Sequence, residues 1–253
     1  MSNKNVFVKF FKEVRLLINV LISMAGYVPE HATIIRTIAI LASFAFSTYL
    51  TKYYPHNFKI AVIYYLISVA LYMGFITLVL RKNGYRLWFI KKWGAKKGYL
   101  IYEGILGFIF FNMSTSLVYV PSSTPGSLFD FINNQILIVI VALLFAFGFI
   151  IKLWAAKVVT IDIYYWKDMF LGKKICKFVV TGPYKYFSNP MYGVGQLHGY
   201  AIAIYYGSVY GLAAVVLSQC LIFTFYYTVE KKFIQQVYQK KHEKKGSGKK
   251  TSN

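Results

Sequence analysis

The sequence predicts an all-α fold: a polytopic integral membrane bundle of about six transmembrane helices that ends in a tight helical hairpin, with both termini cytoplasmic. Three observations carry this expectation. The 253 residues are 57% hydrophobic and 19% aromatic, and only 15% are charged, against about 25% in an average soluble domain. The apolar residues are gathered into runs of membrane length. The formal charge is +21, and most of the lysines and arginines stand beside those runs rather than inside them.

A bilayer core about 30 Å thick takes roughly 20 apolar residues in helical form. Four stretches fit: Ile34 to Thr51, Ile60 to Leu80, Tyr99 to Val120 and Gln135 to Trp154. Beyond a polar loop, Met191 to Tyr206 and Val209 to Val229 are parted only by Gly207-Ser208, which reads as a hairpin. Its first arm rises about 24 Å, short for a full crossing. That arm is expected to start inside the preceding loop or to lie partly within protein. With six spans, and Lys152 counted with the loop that follows it, 27 of the 29 basic residues fall on one side. Only Lys52 and Lys59 fall on the other. Positive charge stays cytoplasmic, which sets the orientation.

The remaining segments follow from this frame. Residues 1–33 read as a cytoplasmic interfacial segment. Lys9, Lys12, Glu13 and Arg15 share one helical face there, and Phe7, Phe10, Phe11, Val14, Leu17, Ile18 and Leu21 share the other. A signal peptide with its apolar core at Leu16 to Ala25 is the competing reading. Residues 34–153 hold four spans, 154–239 a cytoplasmic loop plus the hairpin, and 240–253 a basic disordered tail held near anionic lipid. Nucleic acid is not an expected partner, because the basic residues flank membrane-length runs; a lipid surface is. Cys176 and Cys220 have neither metal-ligand nor framework spacing, and no metal is expected.

Only eight acidic residues exist, so each is informative. Glu103 lies in the third span near its cytoplasmic start. Asp162 and Asp168 flank the aromatic cluster IDIYYWKD, and Glu230 ends the last span before Lys231-Lys232. An ionisable group near a membrane boundary costs free energy unless it is paired, hydrated or functional. Trp154, Tyr164, Tyr165, Trp166, Tyr184 and Tyr186 crowd the cytoplasmic loop. Singly they read as interfacial anchors; together they are able to wall a pocket for a cation, because ring faces attract onium groups. The loop runs into SNPMYGVG, where Asn189 suits an N-cap and Pro190 a first helical position. Gly193 and Gly195 are out of place in a first turn, weakening it by about 1 kcal/mol each relative to Ala. Glycine there permits close approach of a ligand or of another backbone.

GPYKYFSNPMYGVGQLHGYAIA, a short hairpin, and then YYTVEKKFIQQVY resemble the membrane phospholipid methyltransferases. That family includes phosphatidylethanolamine N-methyltransferase and is related to the isoprenylcysteine carboxyl methyltransferases. The resemblance covers residues from about 154 to 240. The carboxyl methyltransferase branch has Arg-His-Pro where this chain has Ser188-Asn189-Pro190, and paired glutamates where it has Val229-Glu230. NPMY, the following glycines, and YYWKDMF are closer to the phosphatidylethanolamine branch.

The resemblance implies S-adenosylmethionine as methyl donor, in a site shaped by Tyr184, Asn189, Pro190, Met191, Tyr192, Gly193 and Gly195, with Glu230 supplying a carboxylate. It implies a phospholipid amine as acceptor. His198 is the first candidate for taking the amine proton, with Asp168, Asp162 and Glu103 as alternatives. Glu103, Tyr165 and Trp166 are the expected substrate contacts, the rings facing the developing quaternary ammonium. The expected function is therefore N-methylation of phosphatidylethanolamine or its methylated products, in a bacterial inner membrane or an endoplasmic reticulum membrane. An isoprenylcysteine carboxyl methyltransferase and a non-catalytic lipid-binding or transport protein are the alternatives.

Overall fold

The computed structural model describes residues 3–175 and 179–239, and among them there are helices and turns but no strand. Cys176 and the expected tail at 240–253 lie outside the described residues. The helices are α1 (Asn3–Met24), α2 (Ile34–Tyr53), α3 (Phe58–Leu80), α4 (Arg86–Ser123), α5 (Asn134–Tyr164), α6 (Lys167–Leu171), α7 (Leu197–Tyr205), α8 (Val209–Phe225) and α9 (Lys231–Ile234). Five helical stretches are long and apolar enough to cross a membrane: Ile34–Tyr53, Phe58–Leu80, Arg86–Ser123, Asn134–Leu171 and Val209–Tyr238. Their outward faces carry exposed Ile, Leu and Phe, such as Ile35, Leu41 and Phe44 on α2. An apolar surface of that extent belongs in lipid, and the protein is an integral membrane protein.

Short polar side chains start these helices. The Thr33 hydroxyl accepts from the Arg36 amide, the Asn57 carbonyl oxygen from Ile60, and the Ser208 hydroxyl from Gly211, each satisfying a first-turn N–H that has no helical partner. Two long helices break where the backbone turns left-handed: α4 at Gly94 (φ 76°) and α5 at Thr160 (φ 71°). The expected span from Tyr99 is thus the second part of α4, and Arg86 to Trp93 form a separate arm before it.

The hairpin turns at Gly207 (φ 57°) as expected, but its first arm does not behave like the others. Met191 to Gly193 form a turn, a 3-10 turn follows at Val194–Gln196, and α7 has only 9 residues, about 14 Å of rise. The cause is local. Gly193 has ψ −105°, which no helix continues, and the Gly193 and Gly195 amides bond back to the Asn189 and Pro190 carbonyls at 2.9 and 2.7 Å. This arm is embedded by packing: Gly199, Ala201 and Ala203 are buried, in contact with α5 and α8.

Several interior polar groups are paired within the bundle, as lipid favours. The Tyr65 hydroxyl donates to the Ala214 carbonyl at 2.7 Å, binding α3 to α8. The Tyr119 hydroxyl donates to the Tyr54 carbonyl at 2.6 Å, binding α4 to the end of α2. The α1 helix forms as expected and docks on α5 at two points. Glu13 pairs with Lys157 at 2.8 Å, and Val20 and Met24 pack against Ala156.

The α5–α7 crossing depends on Gly148, where a Cβ would lie 2.6 Å from the His198 amide nitrogen and 2.8 Å from Leu197 Cβ. Gly148→Val should destabilise the purified protein by about 1–3 kcal/mol. Gly74→Ala in α3, where a Cβ meets nothing within 4 Å, should leave it unchanged or gain up to about 1 kcal/mol. Thermal unfolding in detergent measures both.

Candidate active site

Beyond Thr160, α5 continues for one turn to Tyr164, and Trp166 then adopts a left-handed conformation (φ 54°) before α6. Thr160 and Trp166 are the two non-glycine residues with positive φ among the described residues, and each costs about 1–3 kcal/mol of backbone strain. Such residues persist only when their surroundings fix them. Here the Tyr165 hydroxyl donates to the Ser23 carbonyl at 2.7 Å, and Trp166 packs edge-on against Phe225 with ring centroids 5.3 Å apart. The result turns two consecutive aromatic rings inward, Tyr165 at 2% and Trp166 at 6% exposure. These are interior walls rather than surface anchors.

The second strand of the site's construction is the turn 189–193. Asn189 caps it as expected, its side-chain oxygen accepting from the Tyr192 amide at 3.3 Å. Gln219 of α8 fixes it from the far side, donating to the Tyr192 carbonyl at 2.9 Å and accepting from the Tyr200 hydroxyl at 2.6 Å. Upstream, Gly182 (φ 62°) lets the chain pass where a Cβ would lie 2.9 Å from Val158, and the 3-10 turn after it carries Tyr184. Finally α8 loosens into a π-helical turn at Tyr226–Glu230, a form found mostly at functional sites.

These pieces enclose a first cavity lined by Trp166, Asp168, Tyr184, Asn189, Met191, Tyr192, Tyr226, Glu230, Phe233 and Tyr238, among others. Among the described residues it is lined by two carboxylates and by no lysine or arginine. The Tyr192 hydroxyl donates to Glu230 Oε2 at 3.0 Å. Asp168 accepts from its neighbour's amide, Met169, at 2.8 Å and from the Tyr238 hydroxyl at 2.9 Å. The Tyr184 hydroxyl is buried and has no partner; burial and then the Glu230 charge push it above the ordinary phenol range. Burial and the same charge raise Tyr192, so both phenols stay neutral donors.

A second cavity meets the first at Tyr164, Trp166, Met191 and Tyr192, which line both. Its polar lining includes Ser114, Lys152, Gln196 and His198, with no carboxylate, amid apolar side chains such as Leu106, Phe110 and Met113. His198 Nδ1 donates to the Gly195 carbonyl at 2.5 Å, which leaves Nε2 as the ring's acceptor. A third cavity shares Phe110, Ser114, Val118, Lys152 and His198 with the second and reaches Leu21 of α1 and Thr48 of α2.

The residues singled out in the sequence divide accordingly. Asp168, Tyr184, Asn189 and Glu230 line the first cavity, Tyr165 and His198 the second, and Trp166, Met191 and Tyr192 both. Pro190, Gly193 and Gly195 line neither: they shape the turn that presents Met191 and Tyr192. Asp162 also lines neither and pairs with Lys167 at 2.8 Å. Glu103 lines none of the three cavities. It is buried on α4, accepting from His31 at 2.7 Å and Arg36 at 3.0 Å, so it clamps the start of α2 to α4. Thr160, Lys152, Gln196 and Gln219 were not anticipated. Of these only Lys152 has a sequence signal, as the one charged residue between Gln135 and Trp154.

The stretch that builds this arrangement is also the stretch with known relatives. The model of the phospholipid methyltransferase family matches residues 136–241. No curated protein and no solved structure matches the chain. The matched stretch begins in α5 and includes the strained turn, both sides of the shared wall and the hairpin. Methyltransferases of this family generally use S-adenosylmethionine. The first cavity fits that molecule, which carries a sulfonium, an ammonium and a carboxylate. Two carboxylates face its cations, and the unpartnered Tyr184 hydroxyl and the Asn189 amide are free donors.

If Gln219 holds the turn, Gln219→Leu leaves the Tyr192 carbonyl and the Tyr200 hydroxyl unpaired. Both groups are partly buried, so the loss should cost about 1 kcal/mol or more, read as a lowered unfolding temperature in detergent.

Proposed function

We propose that this protein transfers methyl groups from S-adenosylmethionine to the amine of phosphatidylethanolamine, or of its mono- and dimethyl derivatives, towards phosphatidylcholine at the cytoplasmic membrane face. The observation that carries this reading is the sorting of charge between two cavities that meet at one aromatic wall. The carboxylates lie in the first and the single lysine in the second. A cationic methyl donor suits the first, and a zwitterionic lipid head group suits the second with its amine towards the wall. The catalytic core on this reading is residues 154–239.

S-adenosylmethionine, when bound, supplies a methyl group made electrophilic by its sulfonium. Asp168 and Glu230 hold the cofactor's positive groups, Tyr184 and Asn189 donate to its carboxylate, and Met191, Tyr226 and Phe233 give its base an apolar bed. The lipid amine must lose a proton before it is a nucleophile, and His198 accepts it. Its Nδ1–H is fixed on the Gly195 carbonyl, so the free lone pair is on Nε2, on a ring that lines the second cavity. The rings of Tyr164, Trp166 and Tyr192 stabilise the alkylammonium as its charge returns. Displacement at carbon asks chiefly for alignment, which a wall held by strained, buried residues supplies.

The test is methylation by membranes containing the protein, with labelled S-adenosylmethionine and each candidate lipid. Label in the methylated phospholipids is expected; label appearing only in a prenylated peptide would replace this reading by carboxyl methylation. Glu230→Gln should weaken cofactor binding about 10- to 100-fold, the value of a hydrogen bond to a charged group. His198→Gln should lower kcat by about 10²- to 10⁴-fold with little change in cofactor KM.

A further inference from the structure

Lys152 has no partner in the protein. It stands on α5 inside a membrane-length apolar run, and among the described residues it makes neither an ion pair nor a hydrogen bond. Its stem lies against the 193–195 turn: a Cβ on Gly195 would meet Lys152 Cβ at 3.2 Å and Cγ at 3.5 Å. The Pro190 carbonyl, at 2.7 Å from that Cβ, leaves still less room for a side chain at Gly195, and Lys152 goes on to line the second and third cavities. The side chains of Ser114 and Gln196, which also line the second cavity, have no protein partner either. An ammonium at membrane depth is costly unless a counter-charge is near, and both carboxylates of the site line the other cavity.

We propose that Lys152, with Gln196 and Ser114 as neutral donors, is the site that binds the phosphodiester of a bilayer lipid. The shared chemistry is a phosphate monoanion, and the source is lipid rather than free phosphate. The cavity is otherwise apolar, and it continues through Phe110 and Val118 towards α1 and α2, a course suited to acyl chains. The inference rests on the acceptor reading above and deepens it. Phosphate held at Lys152 places the amine, two carbons from the phosphate ester, at the wall and within the cavity that His198 lines.

The experiment uses the full chain in detergent and two probes without an amine: didodecyl phosphate and the uncharged dilauroylglycerol. Wild type should bind the phosphate amphiphile at least about tenfold more tightly than the uncharged one, the value of one charge-assisted contact. Lys152→Met should erase that difference and Lys152→Arg should keep most of it. In methylation, Lys152→Met should raise the KM for lipid about tenfold or more and leave the KM for S-adenosylmethionine unchanged.

Equal binding of both probes by wild type, or undiminished phosphate preference or lipid KM in Lys152→Met, overturns the proposal. So does displacement of didodecyl phosphate by an equal concentration of inorganic phosphate, which would make the site one for the free ion. Should wild type methylate no amine lipid while phosphate binding still depends on Lys152, the acceptor reading fails and the anion site stands.

Discussion

The arrangement depends on one constraint, the six-residue step between Thr160 and Trp166. Two left-handed non-glycine residues end α5 and redirect the chain so that Tyr164, Tyr165 and Trp166 become interior. Strain of a few kcal/mol there needs a comparable offset. Packing two almost fully buried aromatic rings contributes on that scale, and the Tyr165–Ser23 hydrogen bond adds a tether to α1. The tether matters for topology as well, because it joins the first helix to the segment that holds the aromatic wall. The α1 helix is therefore part of the site's support, although it lies outside the matched domain.

From that step the electrostatics follow. Asp168 comes two residues after Trp166, and α6 places it beside Tyr238; Glu230 reaches the same cavity from the π-helical end of α8. Like charges in one cavity repel, and each is compensated locally: Asp168 by two donors and Glu230 by the Tyr192 hydroxyl. The donors are an amide and two phenols rather than cations, and among the described residues no lysine or arginine lines the cavity. That is the condition for admitting a positively charged ligand instead of an internal salt bridge.

The helices were legible because lipid imposes a single strong rule, long apolar runs with basic flanks, and the chain obeys it from Ile34 to Val120. Asn189 was legible as a cap because capping is local. The sixth span was only partly so: its length warned that it was short, but Gly193's backbone angle, which stops the helix before it begins, leaves no signature beyond the glycine itself. The setting of Glu103 was hidden for the opposite reason. Its partners, His31 and Arg36, are about 70 positions away (|i−j| of 72 and 67), so the pairing leaves no local trace in the sequence. Thr160 gave no sign at all, since a β-branched residue is a poor guess for a left-handed position. At the glycines of SNPMYGVG other backbone comes close, the Asn189 carbonyl at Gly193 and the Pro190 carbonyl at Gly195, with the stem of Lys152 beside the latter.

This last contact explains why the two charges of opposite sign do not simply meet. In a low-dielectric interior an ammonium and a carboxylate attract strongly, and a Lys152–Glu230 pair would satisfy both while filling the space each now borders. The Met191–Tyr192 turn and the rings of Tyr164 and Trp166 stand at the meeting of the cavities, with the lysine stem packed beside Gly195. On the proposed reading the wall does more than shape two pockets: by keeping the two charges from neutralising each other it leaves each to a ligand, a cationic donor on one side and a lipid phosphate on the other.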